Sequence, residues 1–379
     1  TGTFVQNNRN VNFNGGGDGI LTATSGQTFS FMTLNKTGTG RLTISENVAI
    51  TDSIGLKSGK LTLDNKGISI ISTASKTARV GVSSMLMADI TYTSGSGKFF
   101  VQRYIPAKRS WRLLSAPFNP NPSIGTHSIS EAWQERSTGL NYTAAQFAAS
   151  ISADTISTGF STHITGGSTA NGFDSSPTNY TGIRFYNSGT WLTPGNVNGT
   201  SVNSKEGWML FVRGDRKSYG EITTQIKAAT VTTLRPRGQI YLGDKRIPTT
   251  GNLTGFQVVG NPYASAVDFN TVTKTGSVPN TYTVWDPYLN GSNGTGAFVT
   301  LTRSGSVYLR STPLTGTGTS TYDNLYIPSG AAVMVDFGTT GGSLTFKESD
   351  KNALSTTTAF RPVKNSLLQT VLETVESDT

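Results

Sequence analysis

The side chains of this sequence that could carry out chemistry are paired carboxylates and aromatic rings beside turns. A glycosidase needs two acids that flank a cleft, and their separation sets the stereochemical outcome. The candidate acids are Glu131 and Glu135 on a predicted helix, and Asp215, Asp286 and Asp323 near predicted strand ends. Their spacing sets no pair apart from the others. We therefore expect that the protein is not an enzyme.

Other catalytic sets are absent from the sequence. The chain has no cysteine, which excludes thiol nucleophiles, disulfides and cysteine-ligated metals. Its two histidines, His127 and His163, form no HExxH motif, and no GxSxG nucleophile elbow occurs. The glycines before Lys98 do not form a phosphate-binding loop, because Phe99 stands where Ser or Thr would bind magnesium. Ser and Thr surround both histidines, so we predict that both lie on the surface.

The aromatic residues indicate binding rather than catalysis. Flat aromatic faces can stack on the apolar C–H surfaces of sugar rings. Trp285 and Tyr288 are the favoured candidates, because they lie in a turn-rich segment where an aromatic side chain has less core to enter. The other tryptophans that could present such faces are Trp111, Trp133, Trp191 and Trp208. For Trp111 and Trp208, which lie within aliphatic runs, we predict core packing instead.

Oxygen-bearing side chains in the same segment could bind a metal ion. Asp286, Asn290 and Asn293 could together bind Ca²⁺, which prefers oxygen ligands. Their spacing differs from that of an EF-hand, and turn formation alone would account for the same residue types. The sequence thus predicts a ligand-binding site at Trp285, Asp286, Tyr288, Asn290 and Asn293, with calcium as the one cofactor to consider.

Composition and apolar spacing predict an all-β fold. The chain has 379 residues, is rich in Thr, Ser and Gly, and contains 14% charged residues. Between residues 28 and 71, apolar pairs with a spacing of two recur between turns, which predicts strands of about three to five residues. Such short strands are typical of a parallel β-solenoid, and an irregular antiparallel sandwich is the alternative. We assign the solenoid to residues 1–98.

Two segments of the remaining chain match two later ones, which indicates an internal duplication. The matches are WRLLSAPF at 111–118 with FQVVGNPY at 256–263, and GWMLFV at 207–212 with GAAVMV at 330–335. They predict duplicated β-sandwich-like units at 99–235 and 236–350. A C-terminal tail, or the start of a sorting domain, would then occupy 351–379.

Helix-forming sequence is scarce. The segments with helical spacing or a helix-forming composition are 130–136, 143–153 and 364–376. In the first of these, Ser130 could cap the helix, and Glu131 and Glu135 would lie on one face. A strand is the alternative for 364–376, because that segment contains β-branched residues.

The net charge of +9 does not point to nucleic acid, because the basic residues are scattered. The densest groups are short and separated, and consist of Arg103, Lys108, Arg109 and Arg112, and then Arg235, Arg237, Lys245 and Arg246. We predict that they lie on solvated strand faces and protect sheet edges from aggregation. No run of 18 apolar residues occurs, so we also expect no membrane-spanning helix.

Three stretches of the sequence carry a resemblance to a protein family. They are FMTLNK at 31–36 with the LTI and LTL segments that follow, RSWRLLSAP at 109–117, and VGNPYAS at 259–265 continuing to WDP at 285–287. The chain resembles a region of large adhesin-like surface proteins of the Bacteroidota, of the Flavobacterium and Cytophaga type. In that family such regions form stalks and adhesive modules upstream of a C-terminal sorting domain, and the type IX secretion system exports the protein.

The resemblance implies an extracellular, cell-surface location, with the secretion machinery or an outer-membrane attachment partner as partners, and it implies no catalytic residues. We therefore expect a non-enzymatic structural or adhesive segment that displays loops to polysaccharide or another surface. A self-assembling filament or sheath subunit is the alternative, and a polysaccharide-degrading enzyme is a further one. The N-terminus lacks a starting Met and a signal peptide, and the chain stops at Thr379 without a complete sorting domain, so we expect a segment of a longer protein.

Overall fold

A computed structural model describes most of the chain. The described residues are 9–22, 26–93, 97–119, 127–135, 161–176, 178–216, 229–289, 294–305, 307–310 and 326–353. Within them the protein is nearly all β, as the sequence predicts. The predicted helices at 143–153 and 364–376 lie outside the described residues, as do Asn290, Asn293 and Asp323 of the predicted sites.

The N-terminal part of the chain forms the predicted parallel β-solenoid, with about three turns. Its strands are β1 (Asn10–Gly15), β2 (Gly19–Leu21), β3 (Gln27–Lys36), β4 (Arg41–Ile44), β5 (Val48–Ser58), β6 (Lys60–Leu63), β7 (Gly67–Ile70), β8 (Arg79–Val80), β9 (Ile90–Tyr92) and β10 (Lys98–Val101). One sheet has the parallel order β1-β3-β5-β7-β10, and the other has the parallel order β2-β4-β6-β9. The short strand β8 pairs with β5.

Leucine and isoleucine side chains from successive turns fill the solenoid. Leu42 is the register partner of Leu61, and Ile44 is the partner of Leu63. All four side chains are buried. Because each turn places its apolar pair directly beside that of the previous turn, the two sheets enclose a continuous apolar ladder.

Two strands of the solenoid are longer than the predicted three to five residues. β3 has 10 residues and β5 has 11. In β5 the apolar pair Val48 and Ile50 and the pair Ile54 and Leu56 belong to one strand, and the register with β3 shifts between the two pairs. A bulge of this kind bends a strand without ending it, so polar residues between two apolar pairs need not form a turn.

Besides the strands of the solenoid, the described residues contain one short α-helix, further strands and short 3-10 turns. The helix is α1 (Ile129–Trp133), and the 3-10 turns are Met87–Asp89, Thr169–Asn171, Val202–Ser204 and Glu348–Asp350. The strands are β11 (Arg103–Ile105), β12 (Ser110–Leu114), β13 (Ile183–Asn187), β14 (Thr190–Leu192), β15 (Trp208–Val212), β16 (Thr232–Leu234), β17 (Arg237–Gly238), β18 (Lys245–Ile247), β19 (Phe256–Gly260), β20 (Ala266–Asp268), β21 (Thr273–Gly276), β22 (Thr281–Asp286), β23 (Ala297–Ser304), β24 (Val307–Arg310), β25 (Tyr326–Ile327), β26 (Ala332–Asp336), β27 (Gly342–Phe346) and β28 (Lys351–Asn352).

Two antiparallel sheets position the candidate site. The first sheet has the strand order β12-β15-β13-β14, and the second sheet has the order β19-β26-β22-β23-β24. Smaller sheets flank them, with the orders β11-β16, β18-β27-β21 and β25-β20-β28, and β17 adds antiparallel to β10 of the solenoid. One apolar core runs through all of these parts, since Leu61 of the solenoid, Leu210 of the first sheet and Val333 of the second sheet belong to the same buried cluster.

The matched sequence segments occupy corresponding places in the two sheets. β12 pairs antiparallel with β15, and β19 pairs antiparallel with β26. The registers differ, because Leu113 pairs with Met209, whereas the matching residue Val258 pairs with Met334 instead of Ala332. Side chains alternate between the faces of a strand with a period of two, so a shift by two residues leaves each side chain on the same face.

The helix predicted at 130–136 is shorter and begins earlier. Ser128 caps α1: its hydroxyl accepts a hydrogen bond from the Glu131 N–H, and the Glu131 carboxylate accepts one from the Ser128 N–H, both at 3.1 Å. Glu135 lies beyond the helix with φ 52°, in the left-handed region. The prediction that Glu131 and Glu135 share a helix face is therefore wrong, because the backbone has left the helical conformation before Glu135.

Candidate functional site

A second, smaller apolar cluster lies apart from the main core and contains many aromatic rings. Its buried members are Leu113, Met209, Ala332 and Met334, and its half-buried members are Trp111, Tyr186, Trp191, Val258, Trp285 and Phe298. The half-buried ring of Phe211 contacts Trp111. We call these residues together the aromatic face. Aromatic side chains that are left half-buried in one cluster are an uncommon surface feature and often mark a binding site.

Strand alternation places these residues opposite the main core. On β12, Leu113 belongs to the aromatic face and its neighbour Leu114 belongs to the main core. On β15, Met209 and Leu210 divide in the same way. The first sheet therefore buries one face in the molecule and presents the other, which carries Trp111, as half-buried aromatic surface.

The rings of the aromatic face are arranged in pairs on neighbouring strands. The ring centroids of Trp111 and Phe211 are 5.4 Å apart, and those of Tyr186 and Trp191 are 5.3 Å apart. In the second sheet, Trp285 and Phe298 are register partners with centroids 4.8 Å apart and perpendicular planes. Each pair packs edge to face, which holds both rings in a defined orientation.

The aromatic face extends across both sheets because the two sheets contact each other. Leu114 of β12 forms an antiparallel bridge with Ala331, next to β26. A Cβ atom built on Gly207 would lie 2.5 Å from Val258 and 2.6 Å from Ala332, which only a glycine avoids. The missing side chain at Gly207 therefore lets the first sheet approach the second closely.

Threonine hydroxyls adjoin the ring pair of the second sheet. Thr283 and Thr300 are register partners whose hydroxyl oxygens are 2.9 Å apart, and the hydroxyls of Thr281 and Thr302 are 3.3 Å apart. Thr281 and Thr283 alternate with the buried side chains of β22, as Trp285 does. The surface beside Trp285 therefore offers both hydrogen-bond donors and acceptors.

Arginine guanidinium groups lie over the rings of the first sheet. Arg184 lies 5.6 Å from the centroid of Trp111, and Arg213 lies 5.0 Å from the centroid of Phe211. Both distances are within the range of a cation–π contact. The first-sheet part of the aromatic face is consequently cationic, whereas the second-sheet part is bordered by hydroxyls.

Two of the predicted site residues belong to a strand rather than to a loop. Trp285 and Asp286 are the last residues of β22, and the Trp285 Nε1–H donates to the Thr295 carbonyl at 3.2 Å. The Ser110 hydroxyl donates to the same carbonyl, which fastens the segment to β12. Trp285 thus joins the aromatic face, where sequence reasoning placed it in a turn-rich loop.

Tyr288 lies on the opposite side from the aromatic face, beside cationic side chains. The Lys108 ammonium is 5.5 Å and the Arg112 guanidinium 5.9 Å from its ring centroid. Burial raises the pKa of Tyr288, although the Arg112 charge opposes this change. Arg112 is itself buried on the core face of β12. Tyr288 therefore packs on that side of the sheet and does not share a surface with Trp285.

Asp286, the described member of the predicted calcium site, makes a hydrogen bond within the protein. The Asp286 side chain is buried and accepts a hydrogen bond from the Tyr288 N–H at 2.8 Å. Asn290 and Asn293 lie outside the described residues. Among the described residues, no group of three or more His, Asp or Glu side chains could hold a metal ion.

Of the other predicted tryptophans, two lie in the core and two on the aromatic face. Trp133 and Trp208 are each 1% exposed. Core packing is thus correct for Trp208, but it is wrong for Trp111, which strand alternation turns away from the main core. Trp191 lies on the aromatic face.

Several polar residues predicted to be solvated are buried. His127 stacks on Phe118 at 5.8 Å between ring centroids, and burial together with the Lys98 and Arg237 charges lowers its pKa to about 3. His163 is also buried, with its Nδ1 3.7 Å from the Asp174 carboxylate. The surface prediction for both histidines is wrong, because residues distant in sequence fold over them.

The basic groups are also less solvated than predicted. Arg103, Arg112 and Arg235 are each at most 5% exposed. Arg235 pairs at 2.9 Å with Glu135, whose pKa is raised by burial against the opposing Arg235 charge. Arg103 and Arg112 point to the buried sides of β11 and β12, and Arg235 pairs with an acid that is distant in sequence, so local composition shows neither cause of burial.

Comparisons with known proteins found no relative. No family model, no curated protein and no solved structure matches the chain. No helix in the described segments combines the length and the apolar character needed to cross a membrane.

Sequence reasoning missed several residues of the aromatic face. These residues are Tyr186, Phe211 and Phe298, with Arg184 and Arg213 above the rings. Each lies on a strand, or, for Arg213, directly after one, where it alternates with residues of the opposite face, and this alternation was a usable signal. Local alternation could not show that the first and second sheets join their faces into one cluster.

Proposed function

We propose that this protein is a non-enzymatic, extracellular structural and adhesive segment of a bacterial cell-surface protein that contacts polysaccharide through its aromatic face. The observation that carries the proposal is the joining of half-buried rings from both sheets into one cluster outside the main core. Aromatic rings held in fixed orientations can stack on the apolar faces of sugars with little loss of side-chain entropy.

The surroundings of the rings are suited to a hydroxylated ligand. The threonine pairs beside Trp285 can exchange hydrogen bonds with sugar hydroxyls. The solenoid has an uninterrupted apolar interior and makes a rigid support for the two sheets. Cell-surface location and export by the type IX system belong to the proposal, and their support is the resemblance of the three sequence stretches.

The test is binding of the purified protein to a panel of soluble polysaccharides, measured by affinity electrophoresis and calorimetry. Trp191→Ala and Trp285→Ala remove one ring from each sheet, and each should weaken binding about threefold to tenfold. Tyr180→Ala is the matched control, because Tyr180 is 73% exposed and is not part of the aromatic face. Thermal unfolding of each variant separates loss of a contact from loss of the fold.

Three results would contradict the proposal. Binding that is unchanged in both tryptophan variants would exclude the aromatic face as the contact surface. Hydrolysis of a polysaccharide in the panel would contradict the non-enzymatic assignment. Ordered polymers in electron microscopy, without glycan binding, would favour the self-assembling filament instead.

A further inference from the structure

Four side chains lie in a spatial row along the first-sheet part of the aromatic face. Arg184 is 5.6 Å from the Trp111 ring, Trp111 is 5.4 Å from Phe211, and Arg213 is 5.0 Å from the Phe211 ring. Phe211 and Trp111 are register partners, and Arg184 pairs with Met209 on the same face. Two guanidinium groups therefore flank one pair of aromatic rings.

Neither guanidinium has an acidic partner among the described residues, which distinguishes them from other arginines of the protein. Arg216 pairs with Asp174 at 2.6 Å, and Arg235 pairs with Glu135 at 2.9 Å. No acid pairs with Arg213 in this way within the described part of the chain, and its Nη1 is buried without a hydrogen-bond partner there, although individual nitrogens of Arg216 and Arg235 are too. A buried N–H donor without an acceptor is unfavourable, so the fold satisfies this half-buried guanidinium poorly.

The electrostatic surroundings of Arg213 also favour an anion. Burial and the charge of Arg109 lower the pKa of Arg213 to about 10, against the opposing effect of the Asp174 carboxylate. Asp174 is already engaged with Arg216. Among the described residues the positive charge at Arg213 is therefore incompletely balanced, and a bound carboxylate or sulfate would supply negative charge there.

We propose that Arg184 and Arg213 bind the acidic groups of a polysaccharide, so that the ligand of the aromatic face is an acidic polysaccharide carrying carboxylate or sulfate groups. This inference rests on the proposed function and specifies its ligand. A guanidinium can donate two parallel hydrogen bonds to a carboxylate or sulfate, while a neighbouring sugar ring stacks on Trp111. Single-stranded nucleic acid also combines stacking with cations, but it needs a charged groove along the backbone, and here the second-sheet part carries threonines.

The test compares pairs of polymers that differ only in charge. Polygalacturonate is compared with its fully methyl-esterified form, and dextran sulfate with dextran, by biolayer interferometry at low and high salt. We expect binding about tenfold tighter to at least one charged member, and we expect this difference to shrink at high salt. The two pairs distinguish carboxylate from sulfate as the recognised group, and single-stranded poly(dT) tests the nucleic-acid reading.

Variants assign the preference to the two arginines. Arg184→Gln, which changes an exposed residue, and Arg213→Gln should each weaken binding to the charged polymer about fivefold more than they weaken binding to its neutral form. Arg41→Gln removes the same charge from an exposed position on β4 and should have no effect. Arg213→Gln should also keep or raise the melting temperature, because it removes a poorly balanced charge, whereas a purely structural arginine would lower it.

Each outcome bears on the inference in a different way. Equal binding of charged and neutral polymers would overturn the inference and leave the proposed function standing. Binding of no polysaccharide at all would overturn both. Binding of poly(dT) as tight as that of polygalacturonate, or a charge preference that survives both arginine substitutions, would overturn the assignment of an acidic polysaccharide to Arg184 and Arg213.

Discussion

Gly260, the last residue of β19, packs directly against Ser115 of the matching segment, and a Cβ atom on the glycine would lie 2.7 Å from the Ser115 Cβ. The Glu206 carbonyl lies closer still to that position. The Ser115 hydroxyl in turn donates to the Ala331 carbonyl at 2.8 Å. The two sheets therefore meet through backbone at a point where no side chain fits, which is what joins the two parts of the aromatic face.

Substitution of Gly260 tests this close approach. Gly260→Ala should destabilise the protein by about 1–3 kcal/mol or more, because the backbone of Glu206 cannot move aside as a flexible side chain could. Gly195→Ala is the matched control, since a Cβ there would meet nothing within 4 Å. Urea denaturation measures both. Equal stability of the two variants would show that the sheets do not meet at Gly260.

Asp174 is the centre of a buried polar network, and its replacement should be severely destabilising. Its carboxylate accepts hydrogen bonds from the Gln134 side chain at 2.8 Å, the Ile164 N–H at 3.0 Å and Arg216 at 2.6 Å. Asp174→Asn removes the carboxylate that pairs with the buried Arg216, for which we expect a loss of about 3–5 kcal/mol by urea denaturation at pH 7. Asp64→Asn, at an exposed position, should change stability little.

The same network predicts an acid dependence. Burial alone would raise the pKa of Asp174, but His163 and Arg216 more than offset it, so the pKa lies well below its usual value. The stabilisation is complete above the unfolded pKa of about 3.9 and is lost as the pH falls from there towards the folded pKa. Wild type should therefore lose more stability than Asp174→Asn below pH 4, and a parallel loss in both would contradict the assignment.

His127 should make the protein sensitive to mild acid. Its folded pKa of about 3 is below the unfolded value, so the folded state binds fewer protons and stability falls as the pH drops below about 6.5. At pH 5 the expected loss relative to pH 7 is about 2 kcal/mol. His127→Leu should remove this part of the loss, as measured by urea midpoints at both pH values. If the variant and wild type change in parallel, His127 does not stay neutral in the folded state.

Glu348 connects the solenoid to the C-terminal part of the described chain. Its carboxylate accepts hydrogen bonds from the Ser83 N–H at 2.8 Å and the Gly243 N–H at 3.0 Å, and it pairs with Lys351 at 2.6 Å. Burial lowers the pKa of Lys351, and the Glu348 charge opposes this. Glu348→Gln therefore leaves a buried ammonium unpaired, and we expect a loss of about 3–5 kcal/mol.

The double variant Glu348→Gln/Lys351→Met provides the control for this pair. It removes the Lys351 charge as well as the Glu348 carboxylate, so it should recover part of the stability lost in Glu348→Gln. Thermal denaturation followed by calorimetry gives the coupling between the two residues. A double variant less stable than either single variant would mean that the two side chains act independently.

Much of the fold could be predicted from residue types and spacing. The pairs at Leu42 and Ile44 and at Leu61 and Leu63 predict a stacked parallel solenoid, and this prediction is confirmed. Strand lengths were predicted less well, because the bulge within β5 depends on pairing with β3 and cannot be recognised from the residues of β5 alone. Trp285 was singled out among the aromatic residues, but its strand position and its partner Phe298 were not predicted.

The sequence by itself determined that the chain folds as β structure, that a solenoid comes first and that two segments repeat, because these follow from a period of two and from local turn chemistry. Only the tertiary structure decided which side of each strand faces the core, and so placed Trp111 outside and the histidines His127 and His163 inside. The reason is that the environment of a strand face depends on register and on sheets distant along the chain, and local spacing records neither.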